Sequence, residues 1–202
     1  HSLQEFLGEV LFGRFDLVMT FNTGSGLRVT KGQEHFAAFQ KVMAEWTSFS
    51  AQNMPKDITS TLDLLDRLMS YSLLRTVVEN GKAVRKPLKT AIVLDFVQYI
   101  VPSQSRGPDS ATLVKLLDWS SNTAYLQGHL ATVLVTDSLN AVARDLVENP
   151  YSAKIEIPLP SEDDCLQYLE SLNREFPGVR EASELSLDVL AKRVVGLTLI
   201  NI

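Results

Sequence analysis

Thr90-Ala91-Ile92-Val93-Leu94-Asp95-Phe96 decides the fold. The apolar residues run on without alternating with polar ones, the pattern of a strand buried on both faces of a parallel sheet. A carboxylate closes the run, at the strand end where open α/β sheets bind their ligands. Working outward, Ala131-Thr132-Val133-Leu134-Val135-Thr136 repeats the pattern and reads as a second buried strand, followed by Asp137. Phe15-Asp16-Leu17-Val18-Met19-Thr20-Phe21 is a further strand ahead of both, and Ala153-Lys154-Ile155-Glu156-Ile157 alternates like an edge strand.

Helical periodicity fills the intervals. Residues 3–12 are expected to form a short amphipathic helix with Leu3, Phe6, Leu7, Val10 and Leu11 on one side. Residues 35–49 place Phe36, Phe39, Val42, Met43 and Trp46 at three- and four-residue spacing. Asp57 or Thr59 caps the next helix, whose face is Leu62, Leu65, Leu68, Met69 and Leu73. Ser110 opens another, carrying Leu113, Leu116, Leu117 and Trp119, and residues 140–147 form a short one. Asn22-Thr23-Gly24-Ser25-Gly26 and Glu79-Asn80-Gly81-Lys82 are turn chemistry, and residues 27–30 return as a strand or a loop. Pro158-Leu159-Pro160 ends the last strand. Ser161 then caps a helix with acidic Glu162, Asp163 and Asp164 in its first turn and Cys165, Leu166, Leu169, Leu172 and Phe176 inward. Residues 185–202 begin as a helix that Gly196 breaks. Strands separated by helices give an α/β three-layer sandwich with a mainly parallel sheet over residues 1–160, followed by the start of a small helical lid over 161–202.

Composition bounds the rest. The 202 residues are 45% hydrophobic and 21% charged, enough for a core that needs neither disulfides nor metal. The net charge of −5 argues against a surface that coats nucleic acid, and no apolar run is long enough to span a membrane. The one cysteine, Cys165, fits a reducing, cytoplasmic compartment and sits on a packing face. No secretory signal opens the sequence, and its apolar end at Leu199-Ile200-Asn201-Ile202 suggests a segment of a longer protein. His1, His35 and His129 are too scattered for a metal site. Gly24-Ser25-Gly26 lacks the spacing of a hydrolase elbow. A phosphate cradle of the form G-x-x-x-x-G-K-[ST] is absent: the Gly26 to Gly32 and Asn80-Gly81-Lys82 stretches have some of its residue types in the wrong order.

From Ala91 onward the chain resembles the AAA family of P-loop ATPases. Ala91-Ile92-Val93-Leu94-Asp95-Phe96 is similar to the family's Walker B strand, and Val133-Leu134-Val135-Thr136-Asp137-Ser138 to its sensor-1 strand and turn. Residues 155–164 resemble the strand, Pro-x-Pro link and acidic helix start that lead into the lid, and residues 187–197 the lid helix. By this resemblance Asp95, Thr136 and Asp137 are the relic nucleotide-binding positions, with either Asp137 or Ser138 at the sensor asparagine. The departures are as specific as the matches. Phe96 replaces the glutamate that would polarise water, and Asn149-Pro150-Tyr151-Ser152-Ala153-Lys154 holds no arginine finger. Phosphate cradle, water positioning and charge neutralisation are then all missing from phosphoryl transfer. The resemblance implies a degenerate module with no catalytic residue and no cofactor of its own. It would pair with a neighbouring AAA module, other subunits or a partner protein, and ATP and Mg²⁺ would belong to the parent protein. The alternative is a nucleotide-binding ATPase domain whose phosphate loop is unconventional or lies upstream.

Overall fold

A computed structural model describes residues 3, 6–46, 54–104, 110–176 and 185–197. It divides into two compact units, His1–Ala153 and Lys154–Ile202. In the first unit β1 (Leu17–Asn22) turns back through residues 23–25 into β2 (Gly26–Lys31). Two helices follow, α1 (Gln33–Trp46) and α2 (Ile58–Leu74). Next come a small hairpin, β3 (Thr76–Glu79) with β4 (Lys82–Arg85), and then β5 (Thr90–Leu94). After α3 (Ser110–Ser121) and α4 (Thr123–Gln127), the chain enters β6 (Leu130–Leu134) and ends the unit with α5 (Arg144–Val147).

The main sheet has the order β2-β1-β5-β6. β1, β5 and β6 are parallel, in the register Val18↔Ala91↔Ala131, and β2 is antiparallel to β1. Alternate side chains point to opposite faces, and this sorts the core into two layers. Leu17, Met19 and Phe21 of β1 and Ile92 and Leu94 of β5 pack with the helices: Phe36 and Phe39, Leu62, Leu65 and Leu68, Leu116 and Trp119. Val18, Ala91 and Val93 turn the other way, onto Leu7 and Phe12. The expected α/β class with a mainly parallel sheet is therefore what the chain forms. β5 is buried along its whole length, as its uninterrupted apolar run requires.

Several local expectations are corrected. Residues 153–157 form no strand, and they are exposed. β6 is half-exposed where full burial was expected, because among the described residues it lies at the edge of the sheet. The N-terminal helix is a π-helix, Phe6–Leu11, that buries Leu7 and leaves Phe6, Val10 and Leu11 exposed. Its winding explains the changed face: the Phe12 N–H donates to the Leu7 carbonyl (2.8 Å), five residues back, and brings those two side chains to one side. The helix expected over 140–147 is a 3₁₀ turn, Leu139–Ala141, followed by α5. The first long helix ends at Trp46, and residues 47–49 of the expected span lie outside the described residues. Asp57, of the two candidates, is the cap of α2: its carboxylate accepts from the Ser60 N–H at 2.8 Å.

The second unit is a helix pair, α6 (Glu162–Glu175) and α7 (Leu187–Val194), around Cys165, Leu169 and Ala191. Ser161 and Asp164 form a reciprocal capping box at the start of α6. Phe176, expected inside, is exposed. Gly196, with φ +92°, follows α7 and ends it as expected.

Candidate functional site

Parallel strands deliver their last residues to one edge of the sheet, so the groups after β1, β5 and β6 meet there. After β1, Asn22 folds its side chain over the turn: its Oδ1 accepts from the N–H groups of Gly24 (3.1 Å) and Ser25 (2.6 Å). That is an Asx turn, and it sends the chain straight into β2.

After β5, the Asp95 N–H donates to the Phe21 carbonyl (2.8 Å), and the buried Asp95 carboxylate accepts from the Phe96 N–H (3.0 Å). Phe96 sits in the left-handed region, φ 54° and ψ 46°, with 44% of its surface exposed. A left-handed L-residue costs roughly 1–2 kcal/mol. The 3₁₀ turn Val97–Tyr99 follows, anchored where the Val97 N–H reaches the Val135 carbonyl (2.9 Å).

After β6, the Thr136 hydroxyl donates to the Ser138 carbonyl (3.0 Å) and accepts from the Ser138 N–H (3.3 Å). Asp137 accepts from the Gln98 amide at 3.0 Å. Asp95, Thr136 and Asp137 thus end adjacent parallel strands, as their positions in the sequence suggested. Sequence reading placed Asn22 in a turn, which forms, without naming its hold on the Gly24 and Ser25 amides, and it missed Gln98, the partner of Asp137. The Gln98 pairing, across 39 residues of chain, leaves no local signal.

A concavity is lined by none of these residues. It is an open cleft of about 430 Å³ bounded by Leu117, Asp145, Glu148, Asn149 and Tyr151. Its floor is tied by the Asn149 amide, which donates to the Ser120 hydroxyl (2.7 Å) and accepts from the Tyr151 N–H (2.9 Å). Arg144 at its border is held by Glu148 at 2.8 Å, which raises the guanidinium pKa above its ordinary value. Among the described residues no group of three or more His, Cys, Asp or Glu is arranged to hold a metal, and no helix is long and apolar enough to cross a membrane.

A mainly parallel sheet, helices packed on it and polar groups gathered at its carboxyl edge define a Rossmann-like α/β domain. The family described as "AAA+ chaperone, N-terminal Rossmann-like domain" matches residues 1–158, and the chain belongs to that family. No curated protein matches it. Among solved structures, the E. coli MS115-1 HORMA:CdnC:Trip13 complex contains a chain 14% identical, with a TM-score of 0.44 over 67% of this chain. The match covers 43% of that chain, so this sequence spans less than half of its length.

Proposed function

We propose that this N-terminal domain is a catalytically degenerate AAA-like module, kept for interaction and assembly within a AAA-family ATPase whose nucleotide chemistry resides in another module. The observation that carries the reading is the turn after β1. A phosphate cradle needs free backbone N–H groups at the start of a helix. Here the turn leads into an antiparallel strand, and Asn22 already occupies the Gly24 and Ser25 N–H groups. The residues present do not fit a triphosphate. At the next strand end, an apolar ring at Phe96 stands where a water-polarising carboxylate would be needed, and it cannot orient water. Asp95, Thr136 and Asp137 are read as inherited positions whose polar atoms now stabilise the strand ends. A reducing, cytoplasmic setting accords with the single cysteine, which is buried.

The test is thermal unfolding with and without Mg-ATP. A ligand at about 100 times its Kd stabilises the native state by about 2.7 kcal/mol, several degrees in Tm for a chain of this size. No rise is expected. A magnesium-dependent rise of that size, lost in Asp95→Asn, would overturn the proposal in favour of a nucleotide-binding domain.

A further inference from the structure

Charge is unevenly placed along the chain. Residues 74–89 carry Arg75, Lys82, Arg85, Lys86 and Lys89 against a single acid, Glu79, a net +4 in a protein whose net charge is −5. They form the β3–β4 hairpin and its two stems. All of β4 is exposed, and so are Thr76, Val78 and Glu79 of β3. The stems are tied down. The Lys86 N–H donates to the Arg75 carbonyl and the Leu88 N–H to the Ser72 carbonyl (both 2.9 Å), and the Arg85 Nε–H reaches the Leu73 carbonyl at 3.0 Å. Ser72 and Leu73 lie in the last turn of α2, so the ribbon is held on a helix whose inner face is core.

The register sorts the ribbon's side chains. Residues directly opposite one another share a face, and alternate residues along a strand fall on the same side. Glu79↔Lys82 and Val77↔Val84 are therefore two rungs of one face, and Arg75 with Lys86 is the third. The Lys86 ammonium reaches the Glu79 carboxylate at 3.1 Å, across the valine rung, as residues of one face must. Lys82, Val84 and Lys86, all exposed, then stand in a line of cation, apolar group and cation, about 7 Å apart. An extended peptide has the same spacing between its alternate residues. Glu79 shows the chemistry this face accepts: a carboxylate already lies on Lys86, and the ribbon itself provides it.

We propose that this face of the β3–β4 hairpin docks an extended segment of a partner protein with the pattern acid-x-apolar-x-acid. Its carboxylates lie on Lys82 and Lys86, and its apolar side chain lies on the Val77–Val84 rung. The incoming carboxylate replaces that of Glu79 on Lys86. Ion pairs at an exposed surface are individually weak, so the valine rung and the fixed spacing of a preorganised ribbon supply the selectivity. The charge distribution favours a short acidic segment over a nucleic acid. Outside residues 74–89 the chain has a net charge of −9, which a long polyanion would meet beyond the ribbon. A phosphate backbone, moreover, has no apolar group to set on Val84. This deepens the interaction reading above and rests on it, naming the surface and the chemistry of the partner.

The test is fluorescence anisotropy with the full chain and labelled probes: a synthetic Ser-Glu-Ser-Leu-Ser-Glu-Ser peptide, a scrambled peptide of the same composition with its glutamates adjacent, and an oligothymidylate. The native chain should bind the patterned peptide saturably and the scrambled one about fivefold more weakly. Lys82→Glu should weaken the patterned peptide by about fivefold or more, since an attraction becomes a repulsion. Glu79→Gln should tighten it by about two- to fivefold, because the internal competitor for Lys86 is gone. A gain in affinity cannot come from a chain that fails to fold, and circular dichroism checks both variants. No saturable binding, equal binding of the scrambled peptide, a Lys82→Glu chain that binds like the native one, or a Glu79→Gln chain that binds no tighter would each overturn the proposal. Oligothymidylate binding more tightly than the peptide would overturn it in favour of nucleic acid. Failure here with Tm unmoved by Mg-ATP leaves the module reading standing with another docking surface, whereas a magnesium-dependent rise in Tm removes that reading whatever the peptide does.

Discussion

Asp66 joins three helices, and its removal should cost the first unit several degrees of stability. Its Oδ1 accepts from the indole N–H of Trp119 on α3 at 2.9 Å and from the hydroxyl of Tyr125 on α4 at 3.0 Å. Trp119 is buried in the helix-side core, and Tyr125 is part-buried, its phenol pushed above its ordinary pKa first of all by burial. Asp66→Ala leaves both donors without their acceptor. An unsatisfied buried donor costs about 1–3 kcal/mol. Water can reach the Tyr125 side, so the sum should fall near the lower end, about 2–4 kcal/mol. For a chain of this size each kcal/mol shifts Tm by about 2–4 °C, which gives a loss of roughly 4–16 °C. Asp66→Asn keeps an acceptor oxygen and loses only charge assistance, so it should cost about 1 kcal/mol. Both tryptophans, Trp46 and Trp119, lie in the first unit, so tryptophan fluorescence follows its unfolding. A double-mutant cycle with Trp119→Phe should show a coupling of about 1 kcal/mol or more. A shift in Asp66→Ala no larger than in Asp66→Asn, or additivity in the cycle, would refute the account.

Two glycines with nearly the same backbone should respond differently to alanine. Gly32 (φ +80°) and Gly81 (φ +75°) would both incur the left-handed cost, but a Cβ at Gly32 would run into the Asp16 carbonyl while one at Gly81 meets nothing. Gly81→Ala should cost about 1 kcal/mol by chemical denaturation and Gly32→Ala clearly more; equal costs would refute the packing argument. The helix caps predict acid sensitivity. The Ser161 hydroxyl and N–H hold the Asp164 carboxyl below its ordinary pKa, and the Ser60 N–H does the same for Asp57. A lowered folded-state pKa adds stability above the ordinary aspartate value, lost as pH falls through the depressed one, so helicity should weaken below about pH 4. Ser161→Ala should cost about 1 kcal/mol at neutral pH and reduce that acid dependence; an unchanged pH profile would count against the capping box. Cys165 is fully buried, so a thiol reagent should label it only as the second unit opens, and rapid labelling of the native chain would contradict the helix packing.

What the sequence disclosed was what local pattern controls. The unbroken apolar run of β5 announced burial on both faces, and the caps at Asp57 and Ser161 announced helix starts, because each depends on residues within a turn of one another. β6 carries the same kind of run but, among the described residues, lies at an edge. Periodicity reports whether the faces of a strand are covered, not whether a neighbour exists beside it. The β3–β4 hairpin left only its turn visible. Asn80 and Gly81, with φ of 52° and 75°, fit the two-residue turn such hairpins favour, but exposed strands show no apolar alternation. The N-terminal helix failed for another reason: a π-turn changes the residue spacing, so a face read at 3.6 residues per turn selected Phe6, Val10 and Leu11 in place of Phe12.

The site was legible to the same depth and no further. Strand order along the chain brought Asp95, Thr136 and Asp137 to one edge, since each terminates a parallel strand and adjacent strands end together. What those groups do there depends on their hydrogen-bond partners. Two of these sit next to the residues they serve: the Phe96 N–H on Asp95 and Ser138 on Thr136. The third is Gln98, whose bond to Asp137 exists only once β5 and β6 are side by side. Phe96 is the residue on which the proposed degeneracy turns. Its left-handed backbone is the kind of strain that active sites retain, yet it presents an apolar ring to solvent. On the proposed reading, strain of roughly 1–2 kcal/mol is carried here without a reactive group. Replacing Phe96 with Gly should therefore leave nucleotide binding where it was and change stability alone, by the difference between the backbone strain relieved and the packing of the ring.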